Sequence, residues 1–306
     1  MSLIVIGSFV TDCVATCKKA PEAGQTVRGL SFNTYLGGKG ANQAVAAKRM
    51  GSDVIMIGSI GNDAFGKSFI NVFDKEGFDT KYINVSSKEP TGTSLVTVEE
   101  SGQNRIVMTP GANLDYEADN LDAFKEEFMK ASIAICQCEM KYSIIKKVAK
   151  MCKETNTKFI LNPAPATKID DEDLDGIYCI TPNETELGIL IGKEPTNLDE
   201  YIEGAKLLLK KNVENVIVTL GSFGSVLVNK DGATVVEAYK IKAVDTVGAG
   251  DSFTGSLSAM IDQGYSVLEA MKIATAVAAL EVQKEGAIPS MPYKKEVFEF
   301  INQRKW

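Results

Sequence analysis

The sequence predicts an α/β fold, in which a doubly wound and mostly parallel sheet is flanked by helices and carries a small β-sheet lid. Two observations predict the main sheet. Short apolar runs typical of buried strands alternate with charged, helix-forming stretches, and these stretches are long enough for crossover connections. A third observation predicts the lid, because two other segments carry an alternating β-type pattern.

The predicted elements follow one another along most of the chain. Segments 3–6 and 54–57 are apolar strands, and segment 40–50 between them has helical composition. Further strands are predicted at 133–136, 159–161, 178–180 and 216–219, with helices such as 143–155 and 198–211 between them. The lid pattern covers 25–36 and 93–108, where 99–104 makes a plausible hairpin turn.

Composition excludes several classes of function. The chain has 306 residues and a net charge of −7, so it has no basic excess for binding nucleic acid. No apolar run reaches the length of a membrane span, and we expect no membrane partner. The first seven residues lack the basic start of a signal peptide, which predicts a cytoplasmic protein. Six cysteines form no CxxC pair, and we expect reduced thiols.

Histidine is absent from the sequence. This absence excludes Ser-His-Asp and Cys-His nucleophiles, and every metal site that depends on histidine. Acid and base chemistry near neutral pH must then use carboxylates, lysines, cysteines or tyrosines. A single carboxylate is a weak base, and it suits reactions in which positioning and charge stabilisation lower most of the barrier. Phosphoryl transfer is such a reaction.

The strongest candidate for a reactive site is segment 244–253, VDTVGAGDSF, which leads into an apolar helix. Gly248 and Gly250 allow a tight turn, so that several N–H groups at the start of the helix can bind an anion. Asp251 is then predicted beside that anion. A carboxylate there repels phosphate, and it is best explained as a base for an attacking hydroxyl. The alternative is that Asp251 only caps the helix.

Further polar segments are predicted at helix starts and strand ends. Segment 37–43, GGKGANQ, opens a helix, and Asn42 offers donors and acceptors for a polyhydroxy ligand. Asn183 and Glu186 are oxygen ligands suited to Mg²⁺ through water, or else a helix cap. Segment 162–166, NPAPA, is interpreted as a rigid loop, and 219–224, TLGSFG, as a nucleotide loop or a hairpin turn.

Segment 61–68, GNDAFGKS, fits the spelling of a phosphate-binding P-loop. Its content argues against that function, because Asp63 and the bulky Phe65 crowd a loop that must wrap phosphates with bare backbone. In addition, no later apolar strand ends in a suitable metal-binding aspartate. We therefore do not assign this segment to ATP.

Four segments, GGKGANQA (37–44), NPAPA (162–166), TPNETE (181–186) and DTVGAGD (245–251), occur in the order typical of one family. Together they resemble the ribokinase family of sugar kinases, from residue 7 to residue 290. The resemblance implies a ribokinase-like fold with one kinase domain over 1–306 and a lid formed by about 11–36 and 91–109. It also implies transfer of phosphate from ATP to the 5-hydroxyl of D-ribose, with Mg²⁺ and K⁺ as cofactors and a homodimer through the lid.

The resemblance implies roles for individual residues. Asp251 is expected to be the base for the sugar hydroxyl, and Ala249 and Gly250 the anion hole for the transferred phosphate. Besides Asp251, the sugar site comprises Val10, Asp12, Gly38, Lys39, Gly40, Asn42 and Glu139. The nucleotide site comprises Asn183, Glu186, Thr219, Gly221, Ser222, Gly224, Gly250 and Thr275, with Glu186 also holding Mg²⁺ through water. A monovalent cation is expected near Asp245, Val247, Glu281, Lys284, Gly286 and Ser290.

One position departs from the family pattern. Ribokinases often read Gly-Ser-x-Asn-x-Asp near the start, whereas this chain has Val10 at the asparagine position. An apolar side chain cannot pair a buried sugar hydroxyl, and an unpaired buried group costs about 1–3 kcal/mol. Either other contacts hold ribose, or the substrate lacks a hydroxyl there, as 2-deoxyribose does. Because Asp12, Asn42 and Glu139 are present, ribose remains the first interpretation.

Other functions stay open at this stage. A fructokinase or a nucleoside kinase shares the family pattern, although the long match over 37–43 favours the ribose branch. A sugar-binding or nucleotide-binding regulator without turnover is disfavoured because Asp251, Lys39 and the 248–250 loop are intact. A dinucleotide-dependent dehydrogenase is disfavoured because no GxGxxG motif follows the first strand.

Overall fold

The computed structural model of the protein describes residues 2–304. Its strands are β1 (Ser2–Ile6), β2 (Val10–Cys17), β3 (Gly29–Gly37), β4 (Asp53–Gly61), β5 (Ile83–Ser86), β6 (Gly92–Glu99), β7 (Asn104–Thr109), β8 (Ala131–Gln137), β9 (Lys158–Asn162), β10 (Cys179–Ile180), β11 (Asn215–Thr219), β12 (Ser225–Asn229) and β13 (Gly232–Val236). Its α-helices are α1 (Lys39–Arg49), α2 (Ala64–Lys75), α3 (Lys125–Lys130), α4 (Tyr142–Thr155), α5 (Asp171–Leu174), α6 (Glu184–Ile191), α7 (Leu198–Leu209), α8 (Ala249–Asp262), α9 (Val267–Glu281), α10 (Ala287–Ser290) and α11 (Lys294–Gln303).

The main sheet has nine strands in the order β13-β12-β11-β10-β9-β8-β1-β4-β5. The seven strands from β11 to β5 pair in parallel, and β12 and β13 extend one edge as an antiparallel hairpin. Parallel strands need crossover connections, which the helices provide. The predicted fold class, a mostly parallel doubly wound sheet with a separate small sheet, is confirmed.

Side-chain alternation along β1 shows how the sheet separates two cores. Leu3 and Val5 point into a core shared with α1, α8, α9 and α11, whereas Ile4 and Ile6 point into a core shared with α4, α6 and α7. All four side chains are fully buried. Burying one such side chain contributes about 1.5–3 kcal/mol. A strand covered on both faces must be apolar throughout, which explains why the short apolar runs located the main sheet so well.

The second sheet has four strands in the order β3-β2-β6-β7. Strand β2 pairs antiparallel with β3 and parallel with β6, and β6 and β7 form a hairpin whose turn lies at 100–103. The predicted strand over 25–36 is four residues too long at its start, because a turn closed by Gln25 N–H on the carbonyl of Glu22 (2.9 Å) precedes it. The sequence pattern missed strand β2, and it also missed β5, β12 and β13 in the main sheet.

Two properties of the described residues bear on the composition-based expectations. No helix within 2–304 is both long enough and apolar enough to cross a membrane. All six cysteines are free, and five of them are buried, so the expectation of unpaired thiols agrees with the structure.

Candidate active site

The polar segments of the sequence meet at one edge of the main sheet. Strands β1, β8, β9, β10 and β11 run parallel, so their carboxyl ends lie side by side. Five polar parts of the chain lie at that edge: segments 7–8, 137–139 and 181–183, and the starts of helices α1 and α8. Ligands of open α/β sheets bind beyond the carboxyl ends of the strands, so the topology alone makes this edge the candidate site.

Asp251 lies in the first turn of α8 and is only 7% exposed. Its Oδ2 accepts a hydrogen bond from Asn42 Nδ2 at 2.9 Å, and its Oδ1 accepts one from Gln43 Nε2 at 3.0 Å. Both donors belong to the start of α1, more than 200 residues away in sequence. Because Asp251 accepts from side chains of another helix and caps nothing in its own, the capping interpretation does not explain it.

The start of α8 has the form expected of an anion site. Gly248, with φ of 94°, turns the chain into the helix, and no side chain caps the first turn. A Cβ built on Gly248 would lie 2.9 Å from the Cβ of Ala287, so only glycine fits this turn. The next glycine, Gly250, has open space where a side chain would be. Uncapped N–H groups and the helix dipole together attract an anion at this point.

Lys39 supplies positive charge beside the carboxylates. The charge of Asp251 is the main cause that raises the pKa of Lys39, with further contributions from Glu139 and Glu186. The backbone N–H of Lys39 donates to Glu139 Oε2 at 3.0 Å, and the Ser8 hydroxyl donates to the same oxygen. The charged side chain of Lys39 therefore lies between the predicted sugar site and the predicted phosphate site.

The remaining predicted sugar residues are grouped around the Gly37–Gly38 turn. A Cβ built on Gly37 would lie 3.3 Å from Asp12 Oδ2 and 3.8 Å from Asn42 Oδ1, so these two polar side chains approach one another there. Asp12 accepts from the Ser94 hydroxyl of β6, and burial raises the pKa of Asp12. Val10 is 6% exposed and lies on the same face of β2 as Asp12.

Gly40 differs from the other predicted sugar residues. A Cβ built on Gly40 would lie 2.5 Å from the carbonyl carbon of Gly7, so the start of α1 can approach the end of β1 only if this residue is glycine. Gly40 N–H also faces the Ser8 hydroxyl at 3.4 Å. Gly40 therefore serves close backbone packing, which positions Lys39 and Asn42 before and after it at the start of α1.

A cavity of about 230 Å³ lies in front of Asp251. Asn183 and Glu186 line it and also form a capping box for α6: Asn183 Oδ1 accepts from the N–H of Glu186 at 2.8 Å, and Glu186 Oε2 accepts from the N–H of Asn183 at 2.9 Å. The two interpretations of this pair are thus compatible. Burial raises the pKa of Glu186, and its Oε1 has no hydrogen bond within residues 2–304.

A second cavity of about 470 Å³ continues from the first. The two share Asn183, Thr219, Thr246 and Gly250 in their linings. All the predicted nucleotide residues except Glu186 line the larger cavity, and Glu186 lines the smaller one. Apolar and small side chains of α8 and α9 form the inner walls of the larger cavity. The 219–224 segment is both a lining loop and the connection of the antiparallel pair β11 and β12.

The predicted cation residues lie in two loops, which Asp245 connects, and at the ends of helices α9 and α10. Asp245 Oδ1 accepts from Val247 N–H and Oδ2 accepts from Gly286 N–H, both at 3.0 Å. Glu281 is 1% exposed, its Oε1 accepts from the Ser290 hydroxyl at 3.1 Å, and burial raises its pKa to about 8. Lys284 contributes only backbone here, because its side chain reaches Glu296 at the surface, 3.8 Å away.

The P-loop-like segment folds as an ordinary helix start. Asp63 caps α2 by accepting from Gly66 N–H at 2.8 Å, and it also accepts from the N–H and the hydroxyl of Thr91, each at 2.7 Å. The side chain of Asp63 thus occupies the turn that a phosphate requires. Lys67 points to solvent on the helix surface.

Comparison with known proteins decides the family. The sequence matches the family described as pfkB family carbohydrate kinase over residues 1–294. The chain belongs to this family. Ribokinase of Haemophilus influenzae is 36% identical over 300 residues, with 98% of each chain covered. The solved structure of Arabidopsis thaliana ribokinase complexed with ribose and ATP has a TM-score of 0.92 and 34% identity, with 98% of each chain covered. Deoxyribokinase of Salmonella typhi is 32% identical over 307 residues, covering 99% of each.

The pfkB assignment confirms the predicted family and the prediction of a sugar kinase. Sequence reasoning nevertheless missed several residues of this kinase site. Ser8 connects Glu139 to the start of α1, and Thr246 lines both cavities. Gln43 and Asn162 were recognised only as parts of motifs, although Gln43 contacts Asp251 directly. No local pattern distinguishes such buried amides, because their function depends on which distant group they contact.

Proposed function

We propose that this chain is a ribokinase, which transfers the γ-phosphate of ATP to the 5-hydroxyl of D-ribose and releases ADP. The observation that carries the proposal is the position of Asp251 where two cavities meet: Gly250, its neighbour, lines both. A nucleotide in the larger cavity directs its phosphates through the junction toward α8. A sugar held by Asp12, Asn42 and Glu139 presents its hydroxyl to Asp251 from the other side.

Different residues contribute to proton removal, phosphate binding and charge compensation in phosphoryl transfer. Asp251 takes the proton of the attacking hydroxyl, which a general base in hydrogen-bond contact does with a typical contribution of about 10²–10⁴ in rate. The uncapped first turn of α8, at Ala249 and Gly250, binds the negative charge of the transferred phosphate. Lys39 offsets charge between the carboxylates and the phosphate. Positioning and charge stabilisation of this kind lower most of the barrier in phosphoryl transfer.

The described residues fit a magnesium-nucleotide complex. Mg²⁺ keeps several waters and needs few protein oxygens, which matches one unpaired carboxylate oxygen on Glu186 beside the amide of Asn183. Mg²⁺ neutralises phosphate charge when bound. Burial of Glu186 raises its pKa and so disfavours its ionised form, whereas a nearby cation favours that form.

The 245–290 loops fit activation by a monovalent cation such as K⁺. Asp245 orders both loops through backbone N–H groups, so the carbonyl oxygens of Val247 and Gly286 lie in a fixed frame next to α8. Glu281 is buried there with its Oε2 unpaired, which is unfavourable without a further partner. The cation supplies positive charge behind the anion hole, and its loss is expected to lower activity without removing sugar binding.

The lid sheet supports a homodimer. Phe32 on β3, Leu95 on β6 and Val107 on β7 lie on the face of the lid sheet opposite Asp12, and each is at least 60% exposed. Large apolar groups adjoining on one face are typical of an interface. Sedimentation velocity on Leu95→Lys is expected to give a lower mass than the wild type. Equal masses, or a monomeric wild type, would contradict the homodimer.

A deoxyribokinase activity is the second candidate, and Val10 favours it. This side chain is buried and apolar, two residues before Asp12 on the same face. If it faces the 2-position of the sugar, it leaves a hydroxyl unpaired in ribose but not in 2-deoxyribose. Ribose remains the first substrate because Asp12, Asn42 and Glu139 supply the other polar contacts.

The test is ADP production with ATP, Mg²⁺ and K⁺ on ribose, 2-deoxyribose, fructose and adenosine. We expect ribose to be preferred and Asp251→Asn to lower kcat about 10²–10⁴-fold. Asp262→Asn is the matched control, since it makes the same change at the far end of the same helix, where Ser52 and Ser132 donate to the carboxylate. Equal rates in wild type and Asp251→Asn would contradict the mechanism, and silence on every substrate would contradict the function.

A further inference from the structure

A chain of buried side-chain amides leads from the sheet to the carboxylate of Asp251. Gln43, Gln137 and Asn162 are 0%, 1% and 6% exposed. Gln137 Nε2 donates to Gln43 Oε1 at 2.8 Å. Gln43 Nε2 donates both to Asn162 Oδ1 and to Asp251 Oδ1, each at 3.0 Å. Both hydrogens of the Gln43 amide are therefore used, and one of them is bonded to the proposed base.

The orientation of the chain is determined by a backbone group at its Asn162 end. Asn162 Nδ2 donates to the carbonyl of Thr181 at 3.0 Å, which turns Oδ1 toward Gln43. At the other end Gln137 Oε1 lies against Gly7 and has no hydrogen-bond partner among the described residues. If the Gln43 amide were reversed, its oxygen would face the oxygens of Asn162 and Asp251, which repel it. The amide thus has a single favourable orientation, with a donor facing Asp251.

The two oxygens of Asp251 consequently differ. Oδ1 is bonded to a fully buried amide that no substrate can displace, whereas Oδ2 is bonded to Asn42, whose own Oδ1 is buried without a partner. Asn42 belongs to the predicted sugar site and can exchange its contact when a sugar binds. Only Oδ2 is then free to receive the proton of a hydroxyl.

We infer that Gln43 is a positioning residue for the phosphoryl-transfer reaction: its N–H holds Oδ1 of Asp251 and directs Oδ2 to the attacking hydroxyl. This inference rests on the proposed function for the hydroxyl, but not for the hydrogen bond itself. A hydrogen bond to the ionised form of a carboxyl group favours that form. Loss of this donor therefore weakens both the charge stabilisation and the orientation of the Asp251 carboxylate.

The test uses Gln43→Met, which keeps volume but removes the donor, and Gln137→Met, an equally buried change one amide further along. The Asp251 carboxyl carbon is followed by NMR in the ligand-free protein, so this readout needs no turnover. We expect the chemical shift of this carbon at fixed pH to change in Gln43→Met and to change clearly less in Gln137→Met, because only the first variant removes the donor to Oδ1. An unchanged chemical shift in Gln43→Met, or equal changes in both variants, would overturn the inference.

Kinetics give the second readout. In Gln43→Met we expect kcat for sugar phosphorylation to fall about tenfold or more, the acid limb of its pH profile to move to higher pH, and KM for sugar and ATP to change little. A fall in kcat that is uniform across pH marks a packing effect and overturns the inference. If the wild type phosphorylates no sugar while the NMR signal of Asp251 still changes in Gln43→Met, the proposed function fails and the hydrogen-bond assignment stands.

Gln43→Glu covers the case in which Gln43→Met does not fold. This variant keeps the shape of the side chain but places a second carboxyl group against Asp251 Oδ1. Two adjacent carboxyl groups cannot both ionise easily, so one proton is shared between them. We expect the acid limb of the pH profile to move to higher pH than in the wild type. A profile that matches the wild type would show that Gln43 does not act on Asp251.

Discussion

Replacing Val10 by asparagine tests how the enzyme distinguishes sugars. Val10 begins β2, and its backbone is held between Gly37 and Gly92 in the lid sheet, so the substitution changes the side chain without moving the strand. The new amide lies on the face of Asp12 in a site that is 6% exposed. A buried hydroxyl that gains a partner recovers about 1–3 kcal/mol. At about 1.4 kcal/mol per factor of ten, this is a change of roughly 5-fold to 150-fold.

The assay compares kcat/KM for ribose and 2-deoxyribose at fixed ATP, Mg²⁺ and K⁺. We expect the ratio of ribose to 2-deoxyribose to rise by that factor in Val10→Asn. Val14→Asn is the control, because it makes the same change on the same strand and face, beyond Asp12. A ratio that changes less than threefold in a folded Val10→Asn variant, or that rises equally in Val14→Asn, would refute the reasoning.

Three further predictions concern stability and the unused motif. Burial raises the pKa of Glu281 from 4.5 to about 8, so its neutral form stabilises the fold below pH 5 and that contribution is lost as pH rises to about 8. In buffer without alkali cations, the free energy of unfolding measured with urea should therefore fall by about 1.4 kcal/mol per pH unit as the pH rises, relative to Glu281→Gln. Parallel pH curves for the two proteins would contradict this. Arg49 binds the Glu76 carboxylate and the carbonyls of Ile288 and Met291, so Arg49→Met should lower the stability of the fold by about 3–5 kcal/mol. Thermal melting measures this loss, and the second substitution Glu76→Met should restore part of the stability. Lys67→Ala should leave KM for ATP within about twofold, and a large increase would revive the P-loop interpretation.

The two sheets differ in how far their sequence patterns predict them. The main-sheet strands are covered on both faces, so each carries its own apolar run. The lid strand β3 is largely exposed, and β2 contains Thr11, Asp12 and Thr16 among its apolar residues. Such a strand is stabilised by its neighbours rather than by its own composition. This explains why the extent of β2 was missed, whereas β8 and β9 were located to within a few residues.

The site shows a similar division. Motif order predicted Asp251, the glycine turn before it and the lining of the larger cavity, because the chemistry of phosphate binding restricts which residues can occupy these positions. The pair Asn183 and Glu186 could not be resolved between cap and ligand site, because both functions require the same side chains at the same spacing. Only the position of the pair in the cavity in front of Asp251 showed that the two are compatible.

The sequence by itself determined the fold class and the family and predicted the reactive carboxylate, since periodicity and short motifs are local properties of the chain. The tertiary structure decided which groups surround that carboxylate. Gln43 lies 208 positions from Asp251, and Ser8 lies 131 positions from Glu139. Contacts of this kind arise when parallel strands bring their carboxyl ends to one edge. No local pattern encodes them, because a buried amide looks the same in sequence whether it holds a catalytic group or only fills the core.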